Sequence, residues 1–154
     1  MRTSIILRLV VATVFSLLFT SPTSADSSKD CARMARVMWS SFECSCLAEK
    51  VGNTEEQARL FQFGYDQGQK FIAALKSNKI TKEDLGSEVP IGVLLRLQGP
   101  TPDFMLGRIF QATAESAFED VFKSGEHFNS EEDQRLAAEN KFRKANCQLL
   151  GRKK

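Results

Sequence analysis

The 154-residue sequence has almost no surplus of positive charge, which nucleic-acid-binding proteins need, and few histidines and cysteines, which bind metals in zinc sites. It carries 21 Lys+Arg against 19 Asp+Glu, a formal charge of +2, which disfavours a nucleic-acid-binding protein that works through a broad cationic face. Its single histidine is His127, and no repeated Cys or His spacing indicates a zinc site. We therefore expect no nucleic-acid partner and no bound metal.

Recognisable catalytic motifs are also missing. The sequence has no G-x-S-x-G elbow, no H-E-x-x-H pair and no glycine-rich phosphate loop. Glu115 and Glu119 form an i, i+4 pair of carboxylates, but such pairs on a predicted solvent-facing helix side are usually solvated. We expect no catalytic residue and no cofactor. An enzyme is therefore the minor hypothesis, which a buried carboxylate with a raised pKa in a cleft would revive.

Long hydrophobic runs are absent after the first 25 residues. Arg2 and Arg8 precede an apolar stretch over 9–19, which is about a dozen residues long and shorter than the ~20 residues that span a bilayer. Thr23 and Ala25 fit the small positions before a signal-peptidase site, so we predict a signal peptide over 1–25, cleaved after Ala25. The protein is then periplasmic or secreted, with no later membrane contact.

The predicted mature chain, 26–154, is neutral. Cleavage removes two arginines and no acid, which leaves 19 Lys+Arg against 19 Asp+Glu. That length is sufficient for one hydrophobic core. We therefore predict a single helical domain over 26–154.

All four cysteines, Cys31, Cys44, Cys46 and Cys147, remain after this cleavage. An even count in an exported chain predicts two disulfides. Cys147 can pair with Cys44 or with Cys46, and Cys31 then takes the other; our first choice is Cys31–Cys44 with Cys46–Cys147. Because 13 residues of unbroken helix would separate Cys31 and Cys44 by ~20 Å, this choice requires a bend near Ser40-Ser41.

The segment Cys44-Ser-Cys46 also permits a different interpretation, a small redox or soft-metal site. Met34 and Met38 are an i, i+4 pair that could supply thioether ligands on the same helix. The same two methionines are equally well explained as core residues. We favour disulfides and keep the redox or metal-binding protein as the alternative.

The mature chain is predicted to be helical, because apolar residues recur at helical spacing and no segment alternates with a period of two. A first helix is expected over about 30–49. A capping box at Thr54 indicates a second helix start, Thr81 and Ser130 indicate two more, and Thr101 before Pro102 indicates another. Pro90 is predicted to open a brief helix through Leu97. We expect an all-α bundle of four to five helices, stapled by two disulfides between its first and last.

The predicted helices carry apolar stripes that we expect to face the core. Gly64 and Gly68 are expected to let another helix approach closely, and Gly125 to end the long helix that starts at Pro102. The stripes are Ala58, Phe61, Tyr65, Gly68, Ile72 and Leu75; then Leu106, Ile109, Phe110, Thr113, Ala117 and Val121; then Ala138, Phe142, Ala145 and Leu149.

The most distinctive local strings are Phe61-Gln-Phe-Gly-Tyr65-Asp-Gln-Gly68 and Pro90-Ile-Gly-Val93, followed by the loop 98–104. With the signal peptide, the cysteines and the helical pattern, they make the chain resemble periplasmic immunity proteins of the Rap1a/Tai type over about 31–104. The resemblance implies a disulfide-stabilised helical domain that binds and neutralises a secreted toxin. That family tends to place a cysteine just before its G-Y element, whereas Cys46 lies 18 residues before Gly64. No binding residue is transferred.

Together these features predict an exported, non-enzymatic periplasmic protein that binds another protein and inhibits or neutralises it. The candidate contacts are Tyr65, Asp66, Gln98, Thr101 and Asp103, which lie in the G-Y segment and in the loop 98–104. The alternatives are the redox or metal-binding protein described above and a periplasmic chaperone or envelope-stress factor.

Overall fold

The computed structural model describes residues 26–152, so the predicted signal peptide over 1–25 lies outside the described residues. This part of the chain contains six α-helices, where four to five were expected, together with one short hairpin and a 3₁₀ turn. The helices are α1 Ser28–Lys50, α2 Thr54–Lys76, α3 Lys82–Glu88, α4 Ile91–Leu94, α5 Pro102–Phe118 and α6 Glu131–Lys144. The hairpin pairs β1 Lys123–Ser124 with β2 His127–Phe128, and the 3₁₀ turn is Cys147–Leu149. The prediction of a mostly helical protein is confirmed.

Helix α1 is the central element of the fold. Seven of the eight residues from Ser41 to Ala48 are buried, so this half of the helix is covered on all sides, by α2, α5 and α6. Its two buried serines are satisfied: Ser41 Oγ donates to the Val37 carbonyl at 2.8 Å, and Ser45 Oγ donates to the Gln57 carbonyl at 2.9 Å. The helix is continuous through Ser40-Ser41, so the predicted bend does not occur.

The predicted pairing of the cysteines is wrong. Cys44 is bonded to Cys147, with their Cα atoms 5.5 Å apart, whereas Cys31 and Cys46 are free and buried. Both free cysteines lie on the unbroken helix α1, where 15 residues separate them by ~22 Å, far beyond the Cα distance that a disulfide can span. Cys31 is similarly ~20 Å from Cys44. The four cysteines therefore form one disulfide and not two.

Helix caps agree with the sequence in three places. Thr81, Thr101 and Ser130 each accept a hydrogen bond from the backbone amide three residues on, at 3.1 to 3.2 Å. At α2 the cap is Asn53 and not Thr54, because the Asn53 side chain accepts from Glu56 N at 3.1 Å.

Three other predicted boundaries and faces differ. Pro90 is the cap of the four-residue helix α4, which ends at Leu94 and not at Leu97. Helix α5 ends at Phe118, and Gly125 lies in the hairpin turn with φ +62°. Leu149, expected inward on the last helix, is 65% exposed, because Asn146 adopts a left-handed conformation after α6 and redirects the chain.

The second helix buries only part of its predicted face. Gly68 and Ile72 are buried as expected, but Phe61 is 40% exposed, and Leu60, Gly64 and Phe71 are buried although the predicted stripe does not include them. The two glycines allow close packing: a Cβ on Gly64 would collide with Phe42, and one on Gly68 would collide with Met38 and Leu106. Their expected role in close helix approach is confirmed, and the approaching helices are α1 and α5.

Candidate protein-binding surface

A hydrogen-bonded side-chain network joins α2 to the first turn of α5. Tyr65 Oη donates to Asp103 Oδ1 at 2.7 Å, although the two residues are 38 positions apart in the chain. Gln69 Nε2 donates to the same Asp103 oxygen at 2.7 Å and to Tyr65 Oη at 2.9 Å. The structure therefore brings together two of the predicted contact residues and adds Gln69, which lies one helical turn after Tyr65.

The start of α5 determines where Asp103 lies. The Thr101 hydroxyl caps the helix by accepting from Phe104 N at 3.2 Å, and Pro102 occupies the first helical position. Asp103 then falls in the first turn, where the helix dipole stabilises a negative charge. The role of Thr101 is thus to position its neighbours.

The network changes the acidity of the phenol. The hydrogen bond from Tyr65 to the Asp103 carboxylate raises the pKa of Tyr65, because ionisation would remove the donated proton and place two negative charges side by side. Tyr65 is therefore a neutral hydrogen-bond donor across the physiological pH range.

Aromatic side chains extend this network on both sides. The Phe61 ring stacks on Tyr65 at 6.3 Å between centroids and meets the Phe110 ring edge-on at 5.4 Å, so one side of this exposed ring is anchored on the core. Phe104 is 51% exposed, and the Arg108 guanidinium lies 6.0 Å from its ring centroid. Both rings combine an accessible surface with a defined position.

Arg108 links the loop before α5 to the helix. Its Nη1 donates to the Gln98 carbonyl at 2.7 Å, so Gln98 takes part through its backbone. A shallow cavity of about 480 Å³ lies beside these groups and is lined by Arg96, Asp103, Phe104, Gly107, Arg108 and Gln111. We call Phe61, Tyr65, Gln69, Asp103, Phe104 and Arg108 the α2–α5 surface.

Asp66 is the one predicted contact residue that does not join this surface through a hydrogen bond. It accepts from Gln62 Nε2 at 2.8 Å, within its own helix.

The sequence did not identify Phe61, Gln69 and Arg108 as residues of this surface. For the last two a signal existed, because Gln69 lies four residues after Tyr65 and Arg108 four residues after Phe104, the spacing of neighbours on one helix face.

The cysteine segment has a different chemistry from the one a redox or metal site needs. Cys44 is in the disulfide, and burial together with the nearby Glu49 and Glu43 carboxylates raises the pKa of Cys46 to about 12. Such a thiol stays protonated at neutral pH, whereas the thiolate is the nucleophile and the metal ligand. Within residues 26–152 no group of three or more His, Cys, Asp or Glu side chains could hold a metal ion.

The two methionines named with that segment lie elsewhere. Met38 is fully buried in the cluster that contains Phe42 and Phe71, and Met34 packs against the same cluster. Cys46 belongs to a second cluster with Val121. Met34 and Met38 therefore belong to the packed core around α1 and not to a site with Cys46.

Comparisons with known proteins identify no relative of this chain. No protein-family model matches the chain, and neither the curated proteins nor the solved structures contain a match. The resemblance to the immunity proteins therefore stays a prediction. Within the described residues, no helix combines the length and hydrophobicity needed to cross a bilayer.

Proposed function

We propose that this chain is an exported, non-enzymatic protein that binds one protein partner through the α2–α5 surface. The observation that carries the proposal is the Tyr65–Asp103–Gln69 network, which holds a polar group between two exposed aromatic rings. Tyrosine and arginine are enriched at the energetic centres of protein interfaces. Because the side chains are already held in place, little conformational entropy is lost on binding.

One observation supports export. The disulfide Cys44–Cys147 is typical of an oxidising compartment. N-terminal sequencing of the protein recovered from cells that export it should begin at Asp26. A sequence that begins at Met1 would contradict export.

The environment of the cysteines favours binding over the redox or metal alternative. The Cys46 thiol, with its pKa raised to about 12 and with 1% exposure, offers neither a thiolate nor access. Its neighbour Cys44 is bonded to a residue 103 positions away, so the two cysteines of the C-x-C segment do not act as a pair.

A protein that binds one partner can also inhibit that partner. A protein of the immunity type would cover a secreted toxin with such a surface, and we propose this role as the finer form of the hypothesis. A chaperone or envelope-stress factor would instead bind many unfolded clients, so the number of partners distinguishes the two.

Site-specific photo-cross-linking tests the proposal. A photoreactive phenylalanine analogue replaces Phe104 on the α2–α5 surface, and the control places it at Phe128, which is 76% exposed in the hairpin. We expect one stoichiometric adduct from position 104 in cells that export the protein and none from position 128. Arg108→Ala should reduce the yield at position 104, because the guanidinium lies beside that ring.

Each other outcome of this experiment has a defined meaning. A ladder of many adducts from position 104 would favour the chaperone alternative. No adduct, or equal adducts from both positions, would contradict a specific interface on this surface.

A further inference from the structure

A groove lies between α1, α5 and α6, on residues that the α2–α5 surface does not use. Its volume is about 660 Å³, within the roughly 300–1,000 Å³ of small-molecule sites. The groove exists because many of its lining side chains are small, among them Ser40 on α1, Ser116 on α5 and Ala137 on α6. Such side chains cannot fill the space between three helices.

The walls of the groove carry opposite charges. Glu43 on α1 and Asp120, two residues after α5, line it from one side, and Lys141 and Lys144 line it from α6. Among the described residues none of these four groups forms an ion pair within 4.0 Å. Glu43 Oε1 accepts a hydrogen bond from Ser116 Oγ at 2.8 Å, which directs the carboxylate along the α5 wall.

Apolar surface completes the lining. Leu47 on α1 and Leu150 after the 3₁₀ turn contribute aliphatic side chains, and Ala117 and Ala145 contribute methyl groups. A ligand that satisfies every part of this lining has a cationic end, an anionic end and an apolar body. A ligand with one charged end would leave the opposite wall without a partner.

We propose that this groove binds a short peptide with free termini and apolar side chains. The ammonium terminus contacts the carboxylates of Glu43 and Asp120, and the terminal carboxylate contacts the ammonium groups of Lys141 and Lys144. The aliphatic side chains contact Leu47 and Leu150. This site goes beyond the proposed function, and its test does not depend on the partner of the α2–α5 surface.

Calorimetric titration with trileucine tests this proposal on the full mature chain. We expect saturable binding of the free peptide, and binding about tenfold weaker or worse for N-acetyl-trileucine amide, which has the same side chains and no charges. The double variant K141A/K144A should lose a similar factor for the free peptide. The matched control K76A/K79A removes two exposed lysines that do not line the groove and should bind like the wild type.

Four results would overturn the proposal. One is no saturable binding of free trileucine, and a second is equal binding of the free and the capped peptide. The third is binding of laurate, an anion with an apolar chain, at least as tight as that of free trileucine. The fourth concerns a second copy of the chain: a dimer in light scattering that K141A/K144A converts to a monomer would make the groove a subunit interface. The capped-peptide comparison uses wild-type protein, so it stays informative if a variant fails to fold.

Discussion

At the scale of single residues, the proposed binding function depends most on Tyr65 and Asp103. Each is partly or largely accessible, and each has its orientation determined by the other and by Gln69. A polar group on a surface is normally free to rotate, and ordering it on binding costs free energy. Here the hydrogen bonds are formed in advance, which distinguishes this surface from an ordinary solvated helix face.

Tyr65 is the only tyrosine in the chain, so its ionisation can be followed directly by absorbance near 295 nm. We expect a midpoint above the ordinary pKa of 10.0, because the donated hydrogen bond to Asp103 favours the neutral phenol. Asp103→Asn should move the midpoint back towards 10.0. The control Asp66→Asn should leave most of the shift, since Asp66 makes the smallest contribution. A wild-type midpoint at or below 10.0, with circular dichroism showing a folded protein, would be inconsistent with the network.

Two glycines in helices give a matched pair of stability predictions. Gly68→Ala should destabilise the protein by about 1–3 kcal/mol, because its Cβ would overlap Met38 and Leu106 in a well-packed core. Gly107→Ala in α5 should stabilise it by about 0.5–1 kcal/mol, because nothing lies within 4 Å of the added Cβ and alanine is the better helix former. Urea denaturation measures both. Equal effects of the two substitutions would mean that α2 does not pack closely on α1.

At the scale of secondary-structure elements, the C-terminal segment is attached to two helices by different means. The disulfide joins the 3₁₀ turn to α1. Arg59 on α2 donates to the Leu150 carbonyl at 2.5 Å and makes a bidentate pair with Glu56, at 2.7 and 3.0 Å. Arg152 donates to the same Glu56 carboxylate at 2.7 Å. Glu56 therefore connects the first turn of α2 to the end of the chain.

This attachment should depend on pH. The hydrogen bonds from Arg59, followed by the one from Arg152, lower the pKa of Glu56 below its ordinary 4.5, so the carboxylate stabilises the folded state above that pH. Glu56→Gln should cost about 1 kcal/mol at pH 7. The difference between wild type and variant should shrink as the pH falls below 4.5, because the protonated side chain resembles the amide. Urea midpoints at pH 7 and pH 3.5 measure it, and a difference that is constant or grows in acid would contradict the assignment.

Local signals in the sequence predict most helix starts well, whereas the predicted helix ends at Leu97 and Gly125 are wrong and tertiary signals are weak. Thr81, Thr101 and Ser130 could be identified as caps because a cap involves only the next three residues. At α2 the adjacent residues Asn53 and Thr54 are both suitable caps, and spacing alone does not distinguish them. The buried face of α2 is predicted only in part, because the close approach of α1 at Gly64, which no local pattern encodes, also decides which side of α2 is covered.

The candidate site illustrates the same limit. The loop 98–104 and the G-Y segment stand out in the sequence, but their contact depends on how α2 and α5 pack, which no local pattern encodes. The cysteine pairing failed for a related reason. It depends on the continuity of α1 through Ser40-Ser41, and a pair of serines is compatible both with a bend and with an unbroken helix in which a hydroxyl bonds to a backbone carbonyl, as that of Ser41 does.

At the scale of the whole molecule, one covalent bond closes nearly the full length of the fold. Cys44 and Cys147 are 103 residues apart, and in the chain-entropy model a closed loop of ~100 residues stabilises a protein by up to about 4–5 kcal/mol. The bond ties the C-terminal turn to the buried half of α1, the helix against which α2 and α5 also pack. The two helices that carry the α2–α5 surface thus pack against the same helix to which the disulfide is attached.

The most direct test of this account is therefore to map the cysteines of the exported protein without reduction, after its free thiols have been alkylated in denaturant. Trypsin places Cys44 and Cys46 together in the peptide 37–50, Cys31 in 30–33 and Cys147 in 145–152. We predict a linked pair of peptides 37–50 and 145–152 in which fragmentation shows the bond at Cys44 and the alkyl group at Cys46, with Cys31 alkylated. A bond at Cys46 or at Cys31, or four alkylated cysteines, would contradict the single Cys44–Cys147 bridge that attaches the C-terminal turn to α1, the helix against which α2 and α5 pack.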